Sequence, residues 1–304
     1  MVATWPGPGT TSTVKGNMKW IVRGFLAIII GFTIHSNSTA TASTPVAQTN
    51  LAVTVRHAPN LNGNGRVEGS LQQLSGEDTV LNGGFVVTGD LLVPGSPGVR
   101  VNGRPTFAGV VPGTGAATPS GYQVTLNGNC SLNVLRTRTT PVPLPIVPTV
   151  PPPRGTRAVT LTAAGQSIGD PATLGDLTLN GGVGQIAVPP GNYGAFTANG
   201  GGGFTLGIAG ATQPAVYSLQ HLNLNGQGRL NVVGPVLLIV ANGFAANGTL
   251  GMTNCSSWLQ IQVASGGFTL NGGCTVYGSL AVPAGTVIVN GNSALIGSVQ
   301  CDRL

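Results

Sequence analysis

The chain predicts an all-β fold, a parallel β-solenoid, on three observations. A word of the form apolar-x-apolar-Asn-Gly, or a near variant, recurs, closing at Gly83, Gly103, Gly128, Gly181, Gly226, Gly272 and Gly291, with degenerate copies at Asn62-Gly63, Asn199-Gly200 and Asn247-Gly248. Its asparagines stand 19 to 26 residues apart except for one gap of 53 between Asn127 and Asn180, so the period is that of a coil of about 20–25 residues. Within each word apolar side chains alternate, as in Val124-Thr125-Leu126 and Val287-Ile288-Val289, which places them on one face of a short strand.

Composition narrows the class further. Only 7% of residues are charged while 41% are hydrophobic, the reverse of a disordered chain. The 49 glycines follow no every-third-residue order, which excludes collagen. Asn-Gly closures supply the positive φ that tight turns need. They would also suit a meander of hairpins, but the coil-length repeat favours the solenoid. Stacked coils would bring Asn82, Asn102 and Asn127 into line, then Asn180, Asn225, Asn271 and Asn290, with amides bonded coil to coil in ladders.

The elements follow in order. Gly24–Ile34 is an uncharged apolar run preceded by Lys15, Lys19 and Arg23 and followed by Ala40-Thr41-Ala42. This is the plan of a secretory signal peptide over residues 18–42, cleaved after Ala42, with a run too short to span a bilayer comfortably. Met18 offers a second start, which would make residues 1–17 an upstream extension. A first solenoid block is expected over 43–138 and a second over 157–304. Between them, residues 139–156 carry seven prolines, which favour extended polyproline II and forbid central-strand pairing. Val299–Leu304 begins another coil that no Asn-Gly closes, so the last coil reads as incomplete, either a truncation or an open coil able to self-associate.

Export removes three of the 13 cations and leaves ten arginines against seven carboxylates, too thin a balance for nucleic acid. From Asp176 to Asp302 no Asp or Glu intervenes, so a paired-carboxylate mechanism cannot be built there. In the first block Glu68, Glu77, Asp78 and Asp90 leave an enzyme site conceivable. His57 and His221 have no His or Cys at metal spacing, and Gly200–Gly203 lacks the Lys-Ser/Thr of a phosphate loop. No catalytic residue, metal or cofactor is therefore expected. Cys130, Cys255, Cys274 and Cys301 share no phase between adjacent coils, so ladder-like bridging is not predicted and buried free thiols fit at least as well.

The stretch VPPGNYGAF, then LNLNGQGRLNVVGPVLLIVANGFAANGTL, then WLQIQVASGGFTLNGGCTVYGSLAVPAGTVIVNGNSALIGSV resembles the uncharacterised β-solenoid domain of secreted and pilus-associated bacterial surface proteins, a bactofilin-like and adhesin-like group. Its features fall on Pro189–Tyr193, Gly234–Val236, Val282–Gly285 and Gly291–Gly297, and the likeness covers about 174–304. It implies a right-handed coil and supplies no catalytic residues. The expected function is that of an exported, non-enzymatic rigid scaffold or adhesin-like element, secreted or at the cell surface. Its expected partners are cell-surface polymers, glycans or a second copy through the open coil. An alternative is carbohydrate binding, with Tyr193, Phe196, Tyr217, Trp258 or Tyr277 as stacking faces. Ice binding is less favoured, because Asn223 and Ile288 interrupt the column of Thr125, Thr178 and Thr269.

Overall fold

The computed structural model describes residues 51–304; the expected leader and its cleavage site lie outside them. Every strand pair is parallel, as coil-on-coil stacking requires and hairpins would forbid. The described chain is therefore a parallel β-solenoid. One face carries a ladder of thirteen strands, in spatial order Arg157–Leu161, Leu174–Leu179, Gly191–Ala198, Ala215–Leu224, Val236–Val240, Leu259–Val263, Thr275–Val289, Ala294–Arg303, Leu51–Val55, Ser70–Gln73, Leu91–Leu92, Leu135–Thr137 and Val110–Pro112.

That order corrects the sequence reading twice, since the coils do not stack in chain order. First, the two blocks form one rod with their order inverted: the first strand, Leu51–Val55, pairs with the last, Ala294–Arg303, through Val53↔Val299, Thr54↔Gln300 and Val55↔Cys301. The edge expected to be open for self-association is thus covered from within the chain, and the Asn60 amide donates to the Leu304 carbonyl (2.8 Å) to continue the winding. Second, the coil holding Gly98–Gly103 lies outside the coil holding Gln123–Gly128, although it precedes it in sequence. Any parallel edge offers the same alternating N–H and C=O groups to any other, so backbone pairing alone does not impose chain order.

Inverting the blocks demands a connection along the whole rod. Leu135–Thr137 and Arg157–Leu161 are eleven strand steps apart, about 53 Å at ~4.8 Å each. A polyproline II chain from 137 to 157 reaches about 62 Å. The connector therefore works as a strap lying along the solenoid. The Thr140 carbonyl accepts from Gln72 Nε2 (3.0 Å), the Pro151 carbonyl from Gln220 Nε2 (2.8 Å), and the Arg154 amide donates to the Asn192 carbonyl (3.1 Å). Leu144, Val147, Val150 and Pro153 are half-buried, at the three-residue period that gives a polyproline helix one inward face.

The interior is a single apolar column. Leu61, Leu81 and Leu126 stack in one part, and Leu179, Ala198, Leu224, Ala246 and Leu270 in the other. At the Arg157 end the segment 162–173 is drawn against the rod. Arg157 Nη2 donates to the carbonyls of Ile168 (2.6 Å) and Asp170 (2.9 Å), and its Nε to Thr173 Oγ1 (3.0 Å), while Ile168 packs on the core.

Candidate functional site

The repeated asparagines do form ladders, in three runs. Asn199 Nδ2 donates to Asn180 Oδ1 (3.2 Å) and Asn225 to Asn199 (3.1 Å); Asn290 donates to Asn271 (2.9 Å); and Asn82 to Asn62 (2.7 Å), Asn127 to Asn82 (2.7 Å) and Asn102 to Asn127 (2.8 Å). Asn62 and Asn199, degenerate in sequence, are full members. Asn102 follows Asn127 in space because its coil is the outer one. Every amide donates toward the Arg157 end, so the ladders share one polarity along the rod, and each bond joins two neighbouring coils.

The four carboxylates of the first block are not gathered at one point. Glu68 pairs with Arg66 (3.0 Å) on the surface. Asp78 Oδ1 accepts from the Gln123 amide (2.7 Å). Asp90 is buried and accepts from Asn133 Nδ2 (2.8 Å) and from Arg136 Nη2 (3.0 Å) and Nε (3.2 Å). Glu77 belongs to a cluster at the block junction. His57 Nδ1 donates to its Oε1 (2.5 Å), the Ala58 amide donates to its Oε2 (3.1 Å), and the His57 bond is the chief cause holding its carboxyl below the ordinary range. On the other side Asp302 Oδ1 lies 3.7 Å from His57 Nε2 and 2.7 Å from Arg56 Nη1. The cluster thus joins three successive coils, those of Asp302, of Arg56 and His57, and of Glu77. Period and composition gave no signal for it, because its members are 246 residues apart. Among the described residues no group of three or more His, Cys, Asp or Glu is placed to hold a metal ion.

The aromatic candidates divide. Tyr193, Phe196 and Tyr217 are buried, which removes them as stacking faces. The Phe196 ring stacks on Phe204 at 5.0 Å, and the Tyr193 and Tyr217 hydroxyls donate to the carbonyls of Pro189 (2.7 Å) and Val188 (2.9 Å). Trp258 and Tyr277 are half-buried, Trp258 packed against the core. Tyr277 is in register with Ile296, and continuing the register of Gln260 with Ser279 sets Trp258 beside Tyr277. The threonine column is longer than expected at one end, where Thr160, Thr178 and Thr197 pair in register, but Asn223 follows. Cys130, Cys274 and Cys301 are buried free thiols and Cys255 is half-buried. Burial, then the neighbouring Asp302, pushes Cys301 up to about 12.

Fold and site together define a class: a discontinuous parallel β-solenoid, strapped by its own connector, whose polar side chains chiefly join one coil to the next. No family model, curated protein or solved structure matches the chain.

Proposed function

We propose that this is an exported, non-enzymatic structural protein of the cell surface, a rigid rod of the group its second block resembles. The observation that carries the reading is the unbroken thirteen-strand ladder, in which both blocks contribute to one body. It is supported by the leader pattern of residues 18–42 and by the carboxylates of the first block, each bonded to a neighbouring arginine, histidine, amide or backbone group. The first described residue, Leu51, enters the rod eight strand steps from the Arg157 end and four from the other. The chain therefore enters the rod at its flank and not at either end of the described ladder. Fractionating a culture into medium, periplasm, outer membrane and cytosol tests the proposal: the protein is expected outside the inner membrane, and recovery from the cytosol alone overturns the reading.

A second reading, glycan binding, is favoured by Tyr277, partly exposed in register with the exposed Ile296, beside Trp258, which is partly buried against the core. A glycan array that is bound by the wild-type chain and lost in Trp258→Ala would support it.

A further inference from the structure

The two ends of the rod differ. At the Arg157 end the segment 162–173 is drawn against the rod. At the other end the outermost coil, with strands Gly98–Gly103 and Val110–Pro112, carries no further strand among the described residues. Val99, Val101 and Val110 are 38%, 49% and 46% exposed, although their register partners Val124, Leu126 and Leu135 are completely buried. These three stand at core positions of a solenoid, and among the described residues no further coil covers them.

The backbone is equally open. The Gly98 and Arg104 amides donate inward, to the carbonyls of Tyr122 and Gly128 (both 2.9 Å). In a parallel ladder alternate residues bond to the same neighbour, so the amides and carbonyls of Val99, Val101 and Gly103 face outward. Asn102 donates its amide to Asn127 and leaves its Oδ1 at the free end of the ladder. Between the two valines, Arg100 is exposed on the outer face, and Arg104 follows it; neither makes an ion pair among the described residues.

We propose that Gly98–Gly103 is a docking edge for an extended segment of another protein in which apolar residues alternate with carboxylates. Such a strand would bond to the outward amides, lay its apolar side chains over Val99 and Val101, and set a carboxylate beside Arg100. A second copy fits less well. Stacked end to tail it meets the segment 162–173, which Arg157 and Ile168 hold against that end, and paired end to end about a twofold axis it sets arginine edge against arginine edge. The inference gives the scaffold role a partner and takes its setting from that role. Fractionation can remove the scaffold reading without touching the binding measurement below.

The probe is a labelled hexapeptide, Gly-Val-Glu-Val-Asn-Gly, which copies the edge strand with its charge reversed, titrated against the purified full chain at up to millimolar concentration. Saturable one-to-one binding is expected, lost when alternate peptide amides are methylated and weakened about tenfold or more by Arg100→Glu. The same variant should bind Gly-Val-Lys-Val-Asn-Gly instead, and because Arg100 is exposed it should keep the wild-type melting curve. Equal binding of both peptides, no saturable binding, or a dimer in light scattering that the peptide disperses would overturn the proposal.

Discussion

Val53 lies directly opposite Val299 in a parallel ladder, so the first and last described strands of the chain are nearest neighbours inside the rod. The joint between the two blocks is therefore non-covalent, and the covalent link is the strap that returns along the flank. Docking brings the charged cluster together and completes the apolar column, with Val55 and Cys301 fully buried at the seam. The strap keeps the blocks at high effective concentration, since its reach slightly exceeds the span it crosses.

Cleaving the strap should not separate the blocks. With a protease site placed at Val147, the cut protein is expected to elute as one particle in gel filtration. Adding Val55→Asp buries an unpaired charge in the seam, at a cost of several kcal/mol, and the two fragments should then elute apart.

The junction should weaken in acid. The Glu77 carboxyl is held below its ordinary value of 4.5, first by the His57 hydrogen bond and also by the charges of His57 and Arg303, against the opposing effect of burial. Arg56 and Asp302 complete the charged surroundings on the adjoining coils. A depressed folded pKa stabilises above the unfolded value and is lost as pH falls through the folded one. Stability should therefore drop below about pH 4.5, and Glu77→Gln should flatten that slope in urea titrations. The effect should stay under about 1 kcal/mol, because the carboxylate is 39% exposed.

Asp90 and Arg136 should behave as a buried pair, with side chains 4% and 23% exposed. Asp90→Ala leaves the guanidinium uncompensated and should cost about 3 kcal/mol in chemical denaturation. The double variant Asp90→Leu with Arg136→Leu should recover much of that loss.

Two glycines separate backbone strain from steric clash. Gly95 has φ +60° and an added Cβ would sit 1.9 Å from the Pro119 carbonyl oxygen, whereas Gly291 has φ +65° and open space around it. Gly291→Ala should cost about 1 kcal/mol, read as a small fall in melting temperature. Gly95→Ala should cost about 3 kcal/mol or more, because backbone must move as well.

The recurring Asn-Gly word and the alternation of apolar residues predicted, from sequence alone, coils of about 20–25 residues, tight turns at the Asn-Gly closures and short strands with one apolar face; they did not show that Tyr193, Phe196 and Tyr217 point inward. What they predicted is local: positive φ at a closure such as Gly83 and period two in a strand such as Val124–Leu126 depend on a few neighbouring residues. The proline run likewise announced an extended segment, though not that it spans the rod. The tertiary structure decided which coil lies on which. Strand edges are chemically alike, so stacking order is selected by distant terms: the fit of Leu51–Val55 on Ala294–Arg303, the segment 162–173 held against one end by Arg157 and Ile168, and the reach of the connector. For the same reason the His57, Glu77 and Asp302 cluster and the edge at Gly98–Gly103, which no described coil covers, came into view only with the fold, since both exist solely where coils remote in sequence meet or stop meeting.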